Sequence, residues 1–207
     1  YAYDTLNRLT NISYPNTIFN ISYGYDAGTY GNGRLTSITD NSGSTALTYD
    51  HRGNLISHAT SIEGINFSMG YGYNKANQLV QVVYSSGRTI DLVRDATGLI
   101  IEVVTTFGGA TTALASNIDY QPFGPLTQLD FGNGIQITNT YDLDYRLTAS
   151  QHSTVRGADY SYDFNNNITT ITDNLNIQAD QSFDFDALNR LASAAGIYGT
   201  LGYTYDE

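Results

Sequence analysis

The stretch Tyr1-Ala2-Tyr3-Asp4-Thr5-Leu6-Asn7-Arg8-Leu9-Thr10 sets the pattern that the rest of the chain follows. It holds two aromatic residues separated by one residue, then an acid, a few turn-forming residues and a leucine. Its aromatic and acid positions recur five more times, with an amide for the acid in one copy, in Tyr23–Asp26, Tyr71–Asn74, Tyr160–Asp163, Phe183–Asp186 and Tyr203–Asp206. Such recurrence predicts a fold built by repeating one structural unit.

The spacing of the motif gives the size of that unit. The acid, or the residue that replaces it, stands at positions 4, 26, 50, 74, 95, 142, 163, 186 and 206, in steps of 20 to 24 residues apart from one gap of 47. We interpret Asp119-Tyr120, near the middle of the gap, as a degenerate copy. A period of this length is typical of stacked units that bury their faces only against their neighbours.

The residues that precede each acid alternate as a β-strand does. Within residues 65–73 the odd positions are Ile, Phe, Met, Tyr and Tyr, and the even positions are Asn, Ser, Gly and Gly. This alternation predicts a strand with one buried apolar face. Hairpin-turn sequences such as Asn41-Ser42-Gly43-Ser44 and Gly132-Asn133-Gly134 fall halfway between motifs. The predicted fold class is all-β, an array of antiparallel β-hairpins with a period of about 20–24 residues.

Each part of the motif has a predicted structural role. The acid closes a turn by accepting hydrogen bonds from nearby backbone N–H groups, and the Gly or Asn three residues later permits positive φ. The leucine restarts the strand, and the aromatics form a cross-strand ladder. The residues assigned to this structural motif are Tyr3, Asp4, Leu9, Tyr25, Asp26, Leu35, Tyr49, Asp50, Gly53, Leu55, Tyr73, Leu79, Tyr141, Asp142, Leu147, Tyr162, Asp163, Phe185, Asp186, Leu191, Tyr205 and Asp206.

The tyrosine-rich faces allow a second interpretation, because exposed tyrosines also stack on sugar rings or line protein-binding surfaces. Phe183 and Phe185 stand where other copies have tyrosine. Replacement by phenylalanine keeps packing and loses the hydroxyl, so we favour packing over ligand contact.

Composition excludes several classes of function. The 207 residues carry a formal net charge of −11, so no basic surface exists to neutralise nucleic-acid phosphates. The chain has no cysteine, which excludes disulfides and thiol chemistry. It contains no apolar run long enough for a transmembrane helix and no signal peptide.

The domain organisation predicted is a single repeat array over residues 1–207. The chain begins and ends inside the same motif, so we expect it to be a piece of a longer array. Residues 108–116 are small and are predicted to form a loop. Pro122 and Pro125 suggest a rigid corner, and we expect residues 105–127 to form a bend between two parts of the array.

No catalytic, cofactor or metal site is predicted. The carboxylate pairs Asp142/Asp144 and Asp184/Asp186 have the spacing of an acid–base pair, but turn chemistry already explains their repeat positions. The stretch that begins at Asp163 starts like a calcium loop and lacks its glycine and its final acid. The three histidines, His51, His58 and His152, have no nucleophile or metal-ligand pattern beside them. We therefore expect a protein that is not an enzyme.

The motif residues resemble the YD-repeat, or Rhs-repeat, family over essentially the whole chain. Tyr49-Asp50-His51-Arg52-Gly53-Asn54-Leu55-Ile56 and residues 3–10 match its pattern Tyr-Asp-x-x-Gly/Asn-x-Leu-Thr nearly in full. The resemblance implies hairpin sheets that coil into a curved shell or solenoid, as in bacterial Rhs toxins, Tc toxin cocoon components and teneurins. In the toxins the shell encloses a C-terminal effector. Members usually end the shell with a self-cleaving Asp-Pro segment, and no Asp-Pro occurs in this sequence, so that activity is not expected.

From this resemblance we expect a structural segment of a large secreted or cell-surface protein of bacterial origin, part of a shell that encloses or carries a toxin-like domain. The expected partners are other repeats or like chains, joined through open sheet ends, and an enclosed effector domain. Nucleic acid and membrane insertion are not expected. The alternative is a self-assembling or adhesive module that builds an extracellular fibre or stalk, with contacts to glycans.

Overall fold

The structure is a computed structural model that describes residues 1–122 and 124–206. The described residues form nineteen β-strands and two single-turn 3₁₀ helices. Strand pairing is antiparallel throughout, which confirms the predicted all-β array of hairpins. The chain divides into two compact units, the first over residues 1–112 and the second from Ala113 onward. Phe123 and Glu207, which the predicted corner and the predicted array include, lie outside the described residues.

The first unit is a meander in which every strand pairs with the next strand along the chain. A 3₁₀ helix, Thr17–Phe19, connects its second and third strands. The strands are β1 (Ala2–Tyr3), β2 (Leu9–Ile12), β3 (Ile21–Tyr25), β4 (Leu35–Asp40), β5 (Gly43–Tyr49), β6 (Leu55–Ile62), β7 (Ile65–Tyr73), β8 (Leu79–Tyr84), β9 (Thr89–Arg94) and β10 (Ile100–Phe107).

The second unit repeats the same meander. The boundary between the units falls inside β11 (Ala110–Tyr120), whose residues from Ala115 pair with β12. A second 3₁₀ helix, Ile177–Ala179, connects β16 and β17. The remaining strands are β12 (Leu126–Phe131), β13 (Gln136–Tyr141), β14 (Leu147–His152), β15 (Arg156–Tyr162), β16 (Ile168–Asp173), β17 (Gln181–Phe185), β18 (Leu191–Gly196) and β19 (Gly199–Gly202).

The predicted loop at residues 108–116 is wrong. Only Gly108 and Gly109 form a turn there, both at positive φ, and β11 begins at Ala110. The small residues that follow are alternating strand residues in which Ala115 is buried, so their size serves packing and does not mark a loop. The boundary between the two units lies within the segment 105–127.

Turns alternate between the two ends of the strands, because the strands form a meander. We call one end the motif edge. It carries the turns at residues 4–8, 26–34, 50–54, 74–78 and 95–99 in the first unit, and 121–125, 142–146, 163–167 and 186–190 in the second. We call the other end the variable edge. It carries the connections 13–20, 40–43, 62–65, 84–88 and 107–110 in the first unit, and 131–135, 152–156, 173–180 and 196–199 in the second.

Strand β7 shows the predicted alternation of its two faces. Met69 lies opposite His58 and Tyr84, and Tyr71 lies opposite Val82, whereas the intervening residues of β7 pair mostly with small or polar residues, which are serine, alanine and glutamine, and with one valine. The expected burial is wrong at the variable end, where Phe67 is 51% exposed. Among described residues no side chain is fully buried, and the buried apolar residues are limited to Ala115, Ile118, Ala158 and Ala194. Each unit is therefore held together within its sheet more than by a packed second layer.

Candidate functional site

Seven of the nine described turns of the motif edge share one hydrogen-bonding pattern. In the turn at 50–54, the N–H of Asp50 donates to the carbonyl of Asn54 at 2.9 Å, and the N–H of Gly53 donates back to the carbonyl of Asp50 at 3.0 Å. The Oδ1 of Asp50 accepts the N–H groups of Arg52 and Asn54, at 2.8 and 2.9 Å. The same two side-chain bonds occur at Asp4, Asn74, Asp95, Asp142, Asp163 and Asp186. The acid thus closes the turn from within, through the N–H groups two and four residues on.

Positive φ at the third residue after the acid is confirmed. The predicted residues all adopt it: Asn7, Gly53, Asn77, Gly98, Asn166 and Asn189. The turn at 142–146 places Tyr145 there instead, at φ 61°. An ordinary side chain is disfavoured in this conformation by roughly 1–2 kcal/mol. The hydroxyl of Tyr145 donates to the carbonyl of Pro122 at 2.7 Å, which ties this turn to the preceding one.

A β-bulge follows every motif turn, and sequence reasoning missed it. In the pairing of β3 with β4, Gly24 lies opposite Ser37 and Tyr25 lies opposite Leu35, so Thr36 is the extra residue. The same shift makes the residue after the motif leucine, or its equivalent, the extra one in the other repeats: Thr10, Ile56, Val80, Ile101, Thr127, Thr148, Thr169 and Ala192. The threonine of the Leu-Thr pair is therefore a bulge residue, where the strand bends and its twist increases.

The second tyrosine of each motif bonds to the preceding repeat. The hydroxyl of Tyr73 donates to the carbonyl of Leu55 at 3.0 Å. Equivalent bonds of 2.7 to 2.9 Å join Tyr25 to Leu9, Tyr49 to Leu35, Tyr141 to Leu126, Tyr162 to Leu147 and Tyr205 to Leu191. At these six positions the tyrosine therefore contributes a bond between repeats in addition to its ring, and the sequence analysis did not predict this bond. Only the phenylalanine copy at Phe185 lacks the bond by its chemistry, and in the repeat at 95 the guanidinium of Arg94 donates to the carbonyl of Leu79 instead.

The residue four positions after the acid bonds to the following repeat. Nε of Arg8 donates to Asp4 at 2.7 Å, and its two terminal nitrogens donate to both carboxylate oxygens of Asp26, at 3.0 and 2.6 Å. Arg146 likewise joins the acid of its own turn to Asn166 in the next turn. These arginines make charge-assisted and forked bonds, the strongest class among protein hydrogen bonds.

Asparagine makes the same link where arginine is absent. Nδ2 of Asn54 donates to Asp50 at 2.9 Å and to Oδ1 of Asn77, in the next turn, at 3.1 Å. Asn167 repeats this arrangement and reaches Asn189 at 2.9 Å. Each of these turns is thus bonded to its own acid and to the neighbouring turn.

Four arginines also stack on the tyrosine of the next repeat. A cation placed above the face of an aromatic ring is attracted to it electrostatically. The guanidinium carbon lies 4.4 to 5.6 Å from the ring centre in the pairs Arg8/Tyr25, Arg34/Tyr49, Arg146/Tyr162 and Arg190/Tyr205. A sequence signal for this pairing exists in hindsight, because each arginine directly precedes a motif leucine and is followed by a motif tyrosine one repeat later.

These contacts shift the acidities of the motif edge. The side chain of Arg8 is the main cause that lowers the pKa of Asp26 to about 2. The backbone N–H of the residue four positions on is the main cause that lowers the pKa values of Asp4, Asp142 and Asp186. Desolvation raises the pKa of Tyr73 and of Tyr162, which keeps both hydroxyls protonated as donors. The carboxylates are therefore charged acceptors at neutral pH.

The degenerate copy in the long gap contains Tyr120, as predicted, but its acid position is Gln121, two residues after Asp119. Tyr120 lies opposite Leu126, which is the place of the second motif aromatic, and Gln121 stands where other copies have the acid. The N–H of Gln121 donates to the carbonyl of Pro125 at 2.9 Å, and the N–H of Gly124 donates to the carbonyl of Gln121 at 3.0 Å, so the two backbone bonds of the motif turn form without a carboxylate. Asp119 is an ordinary strand residue, and the assignment of the motif acid to it is wrong.

Other predicted motif residues take part less fully. Asp26 sits at φ 66° at the start of a longer loop, where its Oδ1 accepts the N–H of Gly33. Tyr3 is 57% exposed at the edge of the first unit. Asp206 is exposed at the end of the described chain.

The groups considered for catalysis are not brought together. His51 lies beside the ring of Tyr30 in a motif turn, while His58 and His152 each reach a hydroxyl two residues away on their own strands. The carboxylate of Asp163 accepts bonds from its own turn. Among residues 1–122 and 124–206, no three His, Cys, Asp or Glu side chains group as a metal site requires. In the same residues no helix is long and apolar enough to span a bilayer.

Comparison with known proteins identifies the repeat and the fold. Residues 30–64 match the family model described as RHS Repeat. No curated protein matches the chain in sequence. The chain is similar to the solved structure of TcdB2-TccC3 without its hypervariable C-terminal region, at a TM-score of 0.78 and 16% identity, over 94% of this chain and 12% of that one. It is equally similar, at a TM-score of 0.78 and 16% identity, to a Photorhabdus luminescens Tc holotoxin pore, over 94% of this chain and 11% of that one. The fold of the chain is therefore that of these toxin components.

Proposed function

We propose, from the match of residues 30–64 to the RHS repeat and from the fold, that this chain is a structural wall segment of a larger exported protein. In this proposal it forms part of a shell that encloses or carries another, toxin-like domain, and the wall itself performs no reaction. The expected place of action is outside the cell, as a secreted or cell-surface protein of a bacterium. The chain spans about an eighth of the length of the toxin components that share its fold, so most of the assembly would lie in other segments.

The observation that carries the proposal is the linkage between repeats. Each link crosses from one hairpin to the next, backward through the tyrosine hydroxyl and forward through arginine or asparagine. A repeat held in this way is complete only between neighbours, which is the logic of an extended wall. We propose that residues 1–207 form one such array, with a bend within residues 105–127.

A structural wall requires extended sheet surfaces and does not require a ligand-binding pocket. The carboxylates of the described turns bond to their own backbone N–H groups, and the two hydroxyl–histidine contacts, Thr60 with His58 and Ser150 with His152, each lie within a single strand. This arrangement supports a scaffold, whose partners would be the adjoining repeats and an enclosed effector domain.

Electron microscopy of the intact protein that contains this chain tests the proposal. We expect closed, hollow particles with walls one sheet thick, and an effector domain inside. Solid rods or continuous filaments would contradict the shell and favour the second candidate below.

The second candidate is a fibre or stalk that assembles from like chains. The sheet edges favour it, because β1 pairs with β2 and β19 with β18, and all four residues of β19 are exposed. Exposed strand edges add further strands readily. Sedimentation of the purified chain distinguishes the two, since the fibre requires concentration-dependent growth and the shell segment does not.

A further inference from the structure

The variable edge of the first unit carries an open cavity of about 580 Å³. The connection 13–20 lines one side with Tyr14, Ile18 and Phe19, and the turn at 40–43 lines the other side with Asp40 and Asn41. This volume lies within the range of roughly 300–1,000 Å³ that small-molecule sites occupy. The wall function proposed above makes no use of this cavity.

The apolar side chains of this cavity are exposed. Phe19 is 61% exposed, Ile18 is 47% exposed and Tyr14 is 45% exposed. The rings of Tyr14 and Phe19 meet edge to face, with centroids 6.4 Å apart and planes at 79°. The two rings therefore form an exposed aromatic pair in the lining of the cavity.

Folding does not require these side chains, as the second 3₁₀ helix shows. Both helices follow an asparagine whose side chain accepts an N–H at 3.2 Å, from Ile18 in the first and from Gln178 in the second. In the second helix Ala179 stands at the position of Phe19, and Gln178 stands at that of Ile18. The same backbone turn therefore forms without an exposed ring.

The polar side of the cavity supplies hydrogen-bonding groups. Oδ1 of Asp40 accepts the N–H and hydroxyl of Ser42 at 2.8 and 2.6 Å, and the N–H of Gly43 at 3.1 Å. Within the described chain no group donates to its Oδ2, and the amide of Asn41 has no side-chain partner. The hydroxyl of Ser42 is the main cause that lowers the pKa of Asp40, so this carboxylate is charged at neutral pH.

We propose that this cavity binds a neutral saccharide, with the C–H face of one sugar ring against Phe19 and Tyr14 and with sugar hydroxyls donating to Asp40 Oδ2 and bonding to the Asn41 amide. A sugar satisfies both sides, because it has an apolar ring face and a rim of hydroxyls. A purely apolar ligand would desolvate the carboxylate without a donor. An acidic sugar would meet Asp40 and a chain of net charge −11, with no basic side chain among the lining residues described.

The test uses the whole chain on an array of neutral and sialylated oligosaccharides, followed by saturation-transfer NMR with lactose and maltose. We expect weak binding to neutral glycans, with a dissociation constant on the order of millimolar. Phe19→Ala should weaken it about tenfold, which corresponds to ~1.4 kcal/mol. Asp40→Asn, which keeps the Oδ1 acceptor of the turn, should also weaken it.

Ile177→Ala is the matched control, since Ile177 is exposed in the second 3₁₀ helix and lies outside the cavity. It should leave binding unchanged. Asn41→Ala gives a second variant at an exposed turn, so the result does not depend on Phe19→Ala alone. The proposal is overturned if the chain binds no neutral glycan, or if it prefers sialylated glycans. It is also overturned if Phe19→Ala and Asn41→Ala both bind as tightly as the parent chain.

Discussion

Two five-residue turns in the first unit share a backbone and differ in how their side chains close them. The turn at 50–54 lies at the motif edge, and the turn at 84–88 lies at the variable edge. In both, the first N–H donates to the fifth carbonyl, and the fourth N–H donates to the first carbonyl. In the first turn Asp50 adds two bonds to backbone N–H groups, and Asn54 reaches the next turn. In the second, the corresponding residue is Tyr84, which supplies no carboxylate, and among described residues the one side-chain bond to an N–H of this turn is the 3.4 Å contact of Arg88 N–H with the hydroxyl of Ser86. The guanidinium of Arg88 donates outward to the hydroxyl of Thr105 on β10, at 3.0 Å.

This difference explains why residue types recur at one edge of the sheet and vary at the other. At the motif edge, side chains close each turn and join it to its neighbours, so residue types there recur along the chain. At the variable edge the closing side chains differ from turn to turn, as Asp40 and Ser86 show, and the connections range from the two-residue turn Glu63-Gly64 to a loop with a 3₁₀ helix. The variable edge is therefore free to acquire features that the wall does not need, such as the cavity at Phe19.

The largest expected difference in stability is between variants that remove an aromatic ring at the two opposite ends of β7. Tyr73→Ala at the motif edge removes a half-buried ring and its bond to Leu55, and it should lower the free energy of unfolding by about 2–4 kcal/mol. Phe67→Ala, near the variable edge, removes a ring that is 51% exposed and should cost under about 1 kcal/mol. Urea denaturation of both variants measures the difference. Equal losses would mean that the two ends of the strand are held alike.

Removing the acid from one turn should have the next largest effect. Asp50→Ala deletes two bonds to backbone N–H groups and one to Asn54, and we expect a loss of about 1–2 kcal/mol. Ser86→Ala in the matched turn is the control and should change stability by less than about 0.5 kcal/mol. If both variants unfold at the same urea concentration as the parent chain, side-chain closure does not distinguish the edges.

Removing a tyrosine hydroxyl at the motif edge should lower the stability of the fold, and adding one should raise it. Tyr73→Phe removes the donor to Leu55 and should cost about 1 kcal/mol. Phe185→Tyr introduces a hydroxyl where the repeat lacks one and should raise stability by up to about 1 kcal/mol, since it recreates the bond made in six other copies. Thermal and urea unfolding of the two variants checks this. Destabilisation by Phe185→Tyr would contradict the equivalence of the repeats.

The smallest expected effect is a dependence on pH. The folded pKa of Asp26 is about 2, below the value of about 3.9 in an unfolded chain. A lowered carboxyl pKa stabilises the fold above pH 4 and ceases to do so as pH falls toward 2. The urea midpoint should therefore drop over this interval, and Asp26→Asn should reduce the drop. Asp144→Asn, at a carboxylate that is 77% exposed, is the control and should leave the profile as it is. A midpoint that stays level from pH 5 to pH 2 would contradict the role of the motif-edge carboxylates.

The repeat and the turns were predictable because local residue patterns in the sequence specify them. Alternation fixes a strand, and an acid followed three residues later by Asn or Gly fixes a turn with positive φ, so copies such as Asp50-His51-Arg52-Gly53 identify themselves. The strands on both sides of each turn follow from the same spacing.

The bonds between repeats were not predictable in this way. The hydroxyl of Tyr73 reaches a carbonyl eighteen residues earlier, and the bulge at Val80 depends on pairing register, which no local pattern encodes. Replacement of tyrosine by phenylalanine in one copy also concealed the role of the hydroxyl in the others. Tyr145 at positive φ and Gln121 at the acid position break the residue pattern while their turns keep its backbone bonds, so only the structure places them.

The central claim is that side chains of the motif edge, and not turn geometry alone, hold each repeat and join it to the next. Amide hydrogen exchange of the whole chain tests it in one experiment, by comparing the turns at 50–54 and 84–88. The account predicts that the amides of Arg52 and Asn54 exchange about tenfold or more slowly than those of Ser86 and Arg88. Equal rates in the two turns, or slower exchange at 84–88, would contradict it.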